Sequence, residues 1–203
     1  MSAPGERNTA AGSPGAGVKF TVVVTTYNYA HLLSDALRAL AAQTVNDFEL
    51  LIVDDGSTDN TEEIVEQFRP QFQDFHYLKK PNEGAANARN HGVQSARGTH
   101  IAILDADDVW SPRYLEAVRQ KFQSTPQTEA VFCDGVRILG DGRVLGPVFP
   151  PGLTPLEGPI NSVESLFSVC DNFLPSGMVF LKSLYDRMGA FDTRFSHGDD
   201  VDW

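Results

Sequence analysis

Two rhythms of apolar and polar positions alternate along this chain, one suited to buried strands and the other to helices with a single apolar face. Residues 20–24 (FTVVV) form a β-branched run too apolar for a half-exposed edge and apt for a parallel strand buried on both faces. Leu33, Leu37 and Leu40 then share one face of a predicted helix, and residues 48–53 (FELLIV) read as the next strand. Asp59-x-x-Glu62 announces a second helix as a capping-box variant, with Ile64, Val65 and Phe68 facing the sheet. A short strand at 75–78 leads through Pro81-Asn82-Glu83-Gly84 to a helix rich in Ala and Asn, and residues 101–104 (IAIL) supply the following strand. Beyond them the pattern predicts a helix at 112–122, a strand at 130–133 and a hairpin over 137–144 around Gly140-Asp141-Gly142. A Pro- and Gly-rich loop at 146–159, a strand at 177–181, a short helix at 182–188 and a turn at 189–192 complete it. The repeated strand-helix order predicts an α/β fold with a mostly parallel sheet, helices on its faces and right-handed crossovers.

Residues 1–17 hold almost no large apolar side chain and read as a disordered tail, leaving 18–203 as one domain. The close on Asp199-Asp200-Val201-Asp202-Trp203 reads as a domain shortened at its C-terminal end. With 41% hydrophobic and 21% charged residues the chain has ordinary globular composition, and no 18-residue apolar span or secretory leader is visible. A net charge of -11 with scattered Lys and Arg excludes a nucleic-acid groove. Cys133 and Cys170 lack C-x-x-C spacing and fit free thiols in a reducing compartment, so the expected location is cytoplasmic, with peripheral contact at the inner membrane face left open. The five histidines show no ligand-type spacing and read as surface or core positions.

Candidate chemistry sits at two strand ends. Asp105-Ala106-Asp107-Asp108 closes one apolar run, and Asp54-Asp55, followed by Gly56-Ser57-Thr58, closes another. An isolated Asp-x-Asp reads equally as a helix cap or turn. Two carboxylate-tipped strands together point to one site at the carboxyl edge of an open sheet, where the strand order reverses. Carboxylates crowded there repel one another unless protons or a hard, oxygen-ligated cation such as Mg2+ or Mn2+ intervenes.

Five pieces in this order resemble the GT-A glycosyltransferases of family 2, inverting enzymes that use nucleotide-diphosphate sugars. They are residues 22–28 (VVVTTYN), residues 51–59 (LIVDDGSTD), Asn82-Glu83-Gly84-x4-Arg89-Asn90, residues 103–108 (ILDADD), and residues 188–192 (MGAFD) followed by Asp199-Asp200. The resemblance implies a Rossmann-like GT-A sheet with the nucleotide-sugar site at its C-terminal strand edge. It implies that Thr26 and Tyr27 line the nucleotide pocket beside Asn28, the tyrosine ring packing on the base. Asp55, next to Asp54, accepts a hydrogen bond from a uracil or thymine imide, and Arg89 holds the base or the aspartate that reads it, with Gly84 at the head of that motif. Asp107 is the implied metal ligand for Mn2+ or Mg2+, Asp105 joins it and meets the ribose, and Ala106 lies between them. The acceptor-activating base is implied at Asp200, with Asp199 replacing the commoner Glu and itself a candidate. The absence of a Gly-x4-Gly-Lys phosphate loop and of any basic cradle leaves the sugar diphosphate to be neutralised by such a cation.

The expected function is transfer of one sugar from a nucleotide-diphospho-sugar, a UDP-sugar first and a dTDP-sugar next, to a glycan or other hydroxyl acceptor in surface glycan synthesis. Three alternatives stand beside it. A haloacid dehalogenase-type phosphatase would use Asp105 as nucleophile, but its nucleophile strand normally opens the domain. A non-catalytic nucleotide-sugar binding module would bind without acceptor-dependent release. A nucleotidyltransferase would carry a Gly-rich basic loop where Thr25-Thr26-Tyr27-Asn28 stands.

Overall fold

The computed structural model describes residues 18–147 and 175–194. The expected tail at 1–17, the loop from 148 onward, Cys170 and the pair Asp199-Asp200 lie outside them. The described elements are β1 (Phe20–Thr26), α1 (Ala30–Ala41), β2 (Glu49–Asp54), α2 (Thr61–Phe68), β3 (Asp74–Lys79), α3 (Ala85–Ser95), β4 (His100–Asp105) and α4 (Tyr114–Ser124). There follow β5 (Ala130–Phe132), β6 (Val136–Ile138), β7 (Val144–Pro147), β8 (Met178–Leu181) and α5 (Lys182–Met188).

Strands pair in the order β3-β2-β1-β4-β8-β5, and β6 with β7 forms a separate antiparallel ribbon. From β1 the chain winds outward to β2 and β3, then returns through α3 to place β4 on the other side of β1. Right-handed crossovers in opposite directions put their helices on opposite faces. The packing obeys this: Val22, Val24, Leu50, Ile52 and Leu104 meet α1, α2 and α4 through Leu33, Leu37, Val65 and Leu115. Val23, Leu51, Val53, Ile101 and Ile103 meet α3 and the segment around Tyr185 and Phe191. The period-two split of each strand between two apolar layers is why the runs read as continuously hydrophobic, each buried Val, Leu or Ile contributing about 1.5–3 kcal/mol.

Helix α3 carries Ala86, Ala88, Gly92 and Val93 against the sheet because the approach is close: a Cβ at Gly92 would lie 2.3 Å from Val23 Cγ1. The sheet is mostly parallel, as expected, with β8 alone reversed against both β4 and β5. The expected capping box differs. Asn60, not Asp59, precedes α2. Asp59 accepts hydrogen bonds from Thr61 N–H (3.1 Å) and Oγ1 (2.6 Å) and from Ala30 N–H at the head of α1 (3.1 Å), while Glu62 faces Lys79. One carboxylate thus serves two helix starts.

Candidate functional site

The reversal of strand order falls between β1 and β4, and the acidic strand ends flank it: Thr26 lies opposite Asp54 on β2, and Thr25 opposite Asp105 on β4. In an open α/β sheet the two crossovers diverge at this point and leave a crevice at the carboxyl edge.

Asp105 is held from two sides. Thr25 Oγ1 donates to its Oδ1 at 2.8 Å, and Arg89 Nη2 donates to its Oδ2 at 3.1 Å. Arg89 is buried, so this is an ion pair out of bulk water and not a solvated helix charge. It pairs with the aspartate of β4, whereas the expectation was the base or Asp55, the aspartate that reads it. The loop after β4 is propped from behind: Asp105 N–H donates to Ser176 Oγ (2.9 Å), Trp110 Nε1–H donates to the Ser176 carbonyl (2.6 Å), and Ala106 N–H donates to the Thr25 carbonyl. Ser176 and Trp110 were not among the predicted residues; the only cue was a Trp two places beyond the acidic run.

Asp107 projects to the exposed side of this loop, and among the described residues no hydrogen bond engages its carboxylate. Asp108 feels the crowding directly. Burial raises its pKa, Ser176 opposes that by hydrogen bonding, and the charges of Asp107 and Asp105 raise it further. Thr26 Oγ1 is buried and unpaired among the described residues, an orphaned polar atom at the mouth of the crevice. Tyr27 is 45% exposed.

Two predicted residues lie behind the crevice as loop supports. Asp54 is fully buried and accepts Ser57 N–H (2.7 Å) and Tyr77 Oη–H (2.5 Å), which raises the tyrosine pKa through burial first and the neighbouring carboxylate second. Asn28 adopts φ +57° and its side-chain oxygen accepts Thr58 N–H (2.8 Å), tying the loop after β1 to the loop after β2. Asp55 is also buried, and its carboxylate receives Lys80 Nζ (2.6 Å), Glu83 N–H (3.0 Å) and Gly84 N–H (2.8 Å). Gly84, at φ +93°, is the residue before α3, so this helix connects the two acidic strand ends through Gly84 on Asp55 and Arg89 on Asp105.

The sequence profile described as glycosyl transferase family 2 matches residues 21–149. The chain belongs to this family. An uncharacterized glycosyltransferase of Nostoc sp. is 41% identical over 109 residues, 53% of this chain and 34% of that protein. Glycosyltransferase GlyG of Streptococcus pneumoniae is 38% identical over 104 residues, 51% of this chain and 35% of that protein. The family 2 chain described here therefore spans about a third of the length of these curated relatives. Among solved structures, S. aureus TarS 1-349 in complex with UDP aligns with a TM-score of 0.73 at 22% identity, covering 90% of this chain and 53% of that one. The mannosyltransferase PcManGT from Pyrobaculum calidifontis, in complex with GDP-Man and Mn2+, aligns with a TM-score of 0.66 at 25% identity, covering 93% and 51%. The shared fold is the GT-A sheet that the motifs implied.

The family 2 chain has a second cluster of ligand-type side chains, at the opposite edge of the sheet. Glu49, Asp74 and His76 bring one ligand atom each within 4.8 Å of one another, a grouping that sequence spacing did not expose because Glu49 opposes Asp74 only across the β2–β3 ladder. Arg97 already occupies it, with Nε 2.7 Å from Glu49 and Nη2 2.6 Å from Asp74. A guanidinium supplies the positive charge there, as Arg89 does for Asp105, so the carboxylate that stays open to a hard cation is the exposed Asp107 beside Asp105.

Proposed function

We propose that this chain binds a nucleotide-diphospho-sugar at the carboxyl edge of its sheet and transfers the sugar to a hydroxyl acceptor with inversion, with UDP-sugars as first donors and dTDP-sugars next. The observation that carries this reading is the contrast between Asp105, fixed by Thr25 and Arg89, and the exposed Asp107 two residues on, at the reversal of strand order. A fixed carboxylate suits a neutral ribose hydroxyl, which needs an oriented acceptor. An exposed carboxylate with a raised-pKa neighbour suits a cation. Asp107, with Asp105 beside it, would hold Mn2+ or Mg2+, which when bound acts as a Lewis acid on the departing diphosphate.

In this reading the chain's own groups bind and orient. Tyr27 offers its ring to the base, Thr26 Oγ1 finds its missing partner on the nucleotide, and Asp55 keeps one acceptor position for an imide N–H. Asp200, or Asp199 beside it, takes the proton from the acceptor hydroxyl as that oxygen attacks the anomeric carbon opposite the diphosphate. The mannosyltransferase with GDP-Man and Mn2+ supports a cation, and TarS with UDP supports a uridine donor. Among the described residues no helix is long and apolar enough to cross a membrane. Surface glycan synthesis with a glycan acceptor is the role that follows for a single-sugar transferase of this family.

A thermal-shift panel of UDP-, dTDP- and GDP-sugars, each with and without Mn2+, tests the proposal. A donor present at a hundred times its Kd stabilises by about 2.7 kcal/mol, a shift of roughly 5–10 °C for a chain of this size. A UDP-sugar shift that disappears with EDTA is expected. Equal shifts with and without the cation would overturn the metal assignment, and a shift with GDP-sugars alone would overturn the base.

A further inference from the structure

We propose that Lys80 is a positioning residue for nucleotide recognition: it fixes the orientation of the Asp55 carboxylate so that a single lone pair is left for the base, and so tunes selection for an imide N–H. The proposal rests on the reading of Asp55 as the residue that meets the base.

Lys80 follows β3 directly, and its own N–H is tied to the Asp54 carbonyl at 3.0 Å, so its backbone is fixed independently of its side chain. The side chain is 11% exposed; its ammonium donates to Asp55 Oδ1 at 2.6 Å and to the Pro81 carbonyl at 2.8 Å, and it pairs with the Glu83 carboxylate, Oε2 at 2.8 Å. A lysine beside a nucleotide site invites assignment as a phosphate ligand, but this ammonium already faces three acceptors of its own chain. Its influence on a ligand passes through Asp55.

The carboxylate of Asp55 can be counted in the same way. Two oxygens offer about four lone-pair positions. Oδ1 accepts Lys80 Nζ and Glu83 N–H; Oδ2 accepts Gly84 N–H and lies 3.2 Å from the same Glu83 N–H. With Glu83 counted on its nearer oxygen, one position on Oδ2 stays open. A base that presents a donor there, as the imide of uracil or thymine does, completes the shell. Asp55 is 4% exposed, so its carboxylate is oriented by the groups packed on it and not by water. The charged groups facing it are Lys80 and Glu83 from the loop after β3 and Asp54 from β2, the last turned to Ser57 and Tyr77. Lys80 is the cation among them. Burial works against its charge, yet the hydrogen bonds and charges of Asp55 and Glu83 keep its pKa above the ordinary lysine value. The turn is rigid as well: Gly56 sits at φ +84°, and a Cβ there would lie 2.9 Å from Asn82 N, so the loop carrying Lys80 is pressed against the loop carrying Asp55.

The test compares UDP with N3-methyl-UDP, which lacks the imide hydrogen, by calorimetry with Mn2+ on wild type, Lys80→Met and Lys80→Arg. The ratio of the two affinities isolates the base contact, because phosphate and metal contributions cancel. Wild type is expected to prefer UDP by about tenfold or more. Lys80→Met should lose most of that preference, because Oδ1 then lacks its ammonium donor and the carboxylate can turn. Lys80→Arg should recover little of it, because a planar guanidinium does not reproduce the compact ammonium between Asp55 Oδ1 and the Pro81 carbonyl. A wild-type ratio near one would overturn the reading of Asp55 itself. A strong wild-type preference that Lys80→Met retains would overturn the role of Lys80 and leave Asp55 intact. Should Lys80→Met fail to fold, Lys80→Arg decides the matter, and a ratio equal to that of wild type overturns the proposal.

Discussion

Asp105 and Asp107 stand two positions apart, and their replacement should separate binding from folding. Asp107 is exposed with no hydrogen-bonded partner among the described residues, so Asp107→Ala should change stability by less than about 0.5 kcal/mol while removing cation-dependent donor binding, measured by denaturation and by titration calorimetry side by side. Asp105→Ala removes the carboxylate that faces buried Arg89 and should cost about 3–5 kcal/mol, seen as a lower urea midpoint with or without ligand. His100 gives a prediction of another kind. It is buried against Phe20 and Phe122, and burial lowers its pKa from 6.5 to about 4. The unfolded chain therefore binds a proton that the folded chain refuses within that window, and stability contributed by the neutral ring is present above about pH 6.5 and lost as the pH falls toward about 4. His100→Leu should flatten that part of the stability-pH curve in thermal melts; an unchanged slope would remove His100 from the account.

At the scale of elements, α3 organises more of the site than any other helix. Asn90 on its buried face receives Tyr185 Oη–H and Phe191 N–H on Oδ1, both at 2.9 Å, and donates Nδ2–H to the Phe191 carbonyl at 2.8 Å. Asn90→Ala removes those three hydrogen bonds and should cost about 2–3 kcal/mol by equilibrium unfolding, while Gly92→Val, meeting Val23 at 2.3 Å for its first added atom, should displace the helix and weaken donor binding as well. The motif pairs Arg89-Asn90 and Ala190-Phe191 were legible in the chain as separate marks, but nothing in spacing shows that one latches onto the other across about a hundred residues. Strands were legible for a different reason: Val22, Val23 and Val24 are buried on alternate faces, which leaves a continuous apolar run in the sequence. The direction of β8 was not, because Met178–Leu181 is equally apolar whichever way it runs and its path follows residues outside those described. The capping expectation at Asp59 failed because its partner Ala30 is 29 residues away, beyond any local rule.

Across the whole molecule, both sheet edges pair carboxylates with cations, but the carboxyl edge also carries an exposed carboxylate beyond its pairs. At the amino edge Arg97 neutralises Glu49 and Asp74, whereas at the carboxyl edge Asp107 is left exposed within a chain of net charge -11. An anionic sugar diphosphate approaching such a chain is repelled unless a cation intervenes. Residual UDP binding in EDTA should therefore tighten as salt is raised from about 20 to 200 mM, because the Debye length shrinks to about 10 Å or less, while binding with Mn2+ should not tighten. Calorimetry at two ionic strengths checks this, and tightening in both conditions would contradict it. The cross-ties at the mouth also bear on how family members can be recombined. Asn28 lends its side-chain oxygen to Thr58, and Asp59 lends its carboxylate to Ala30, so each of two loops from different strands completes the other. Anyone building chimeras to exchange donor preference would have to transplant residues 26–30 and 55–61 as a single cassette, since swapping one alone strands amide hydrogens on the other.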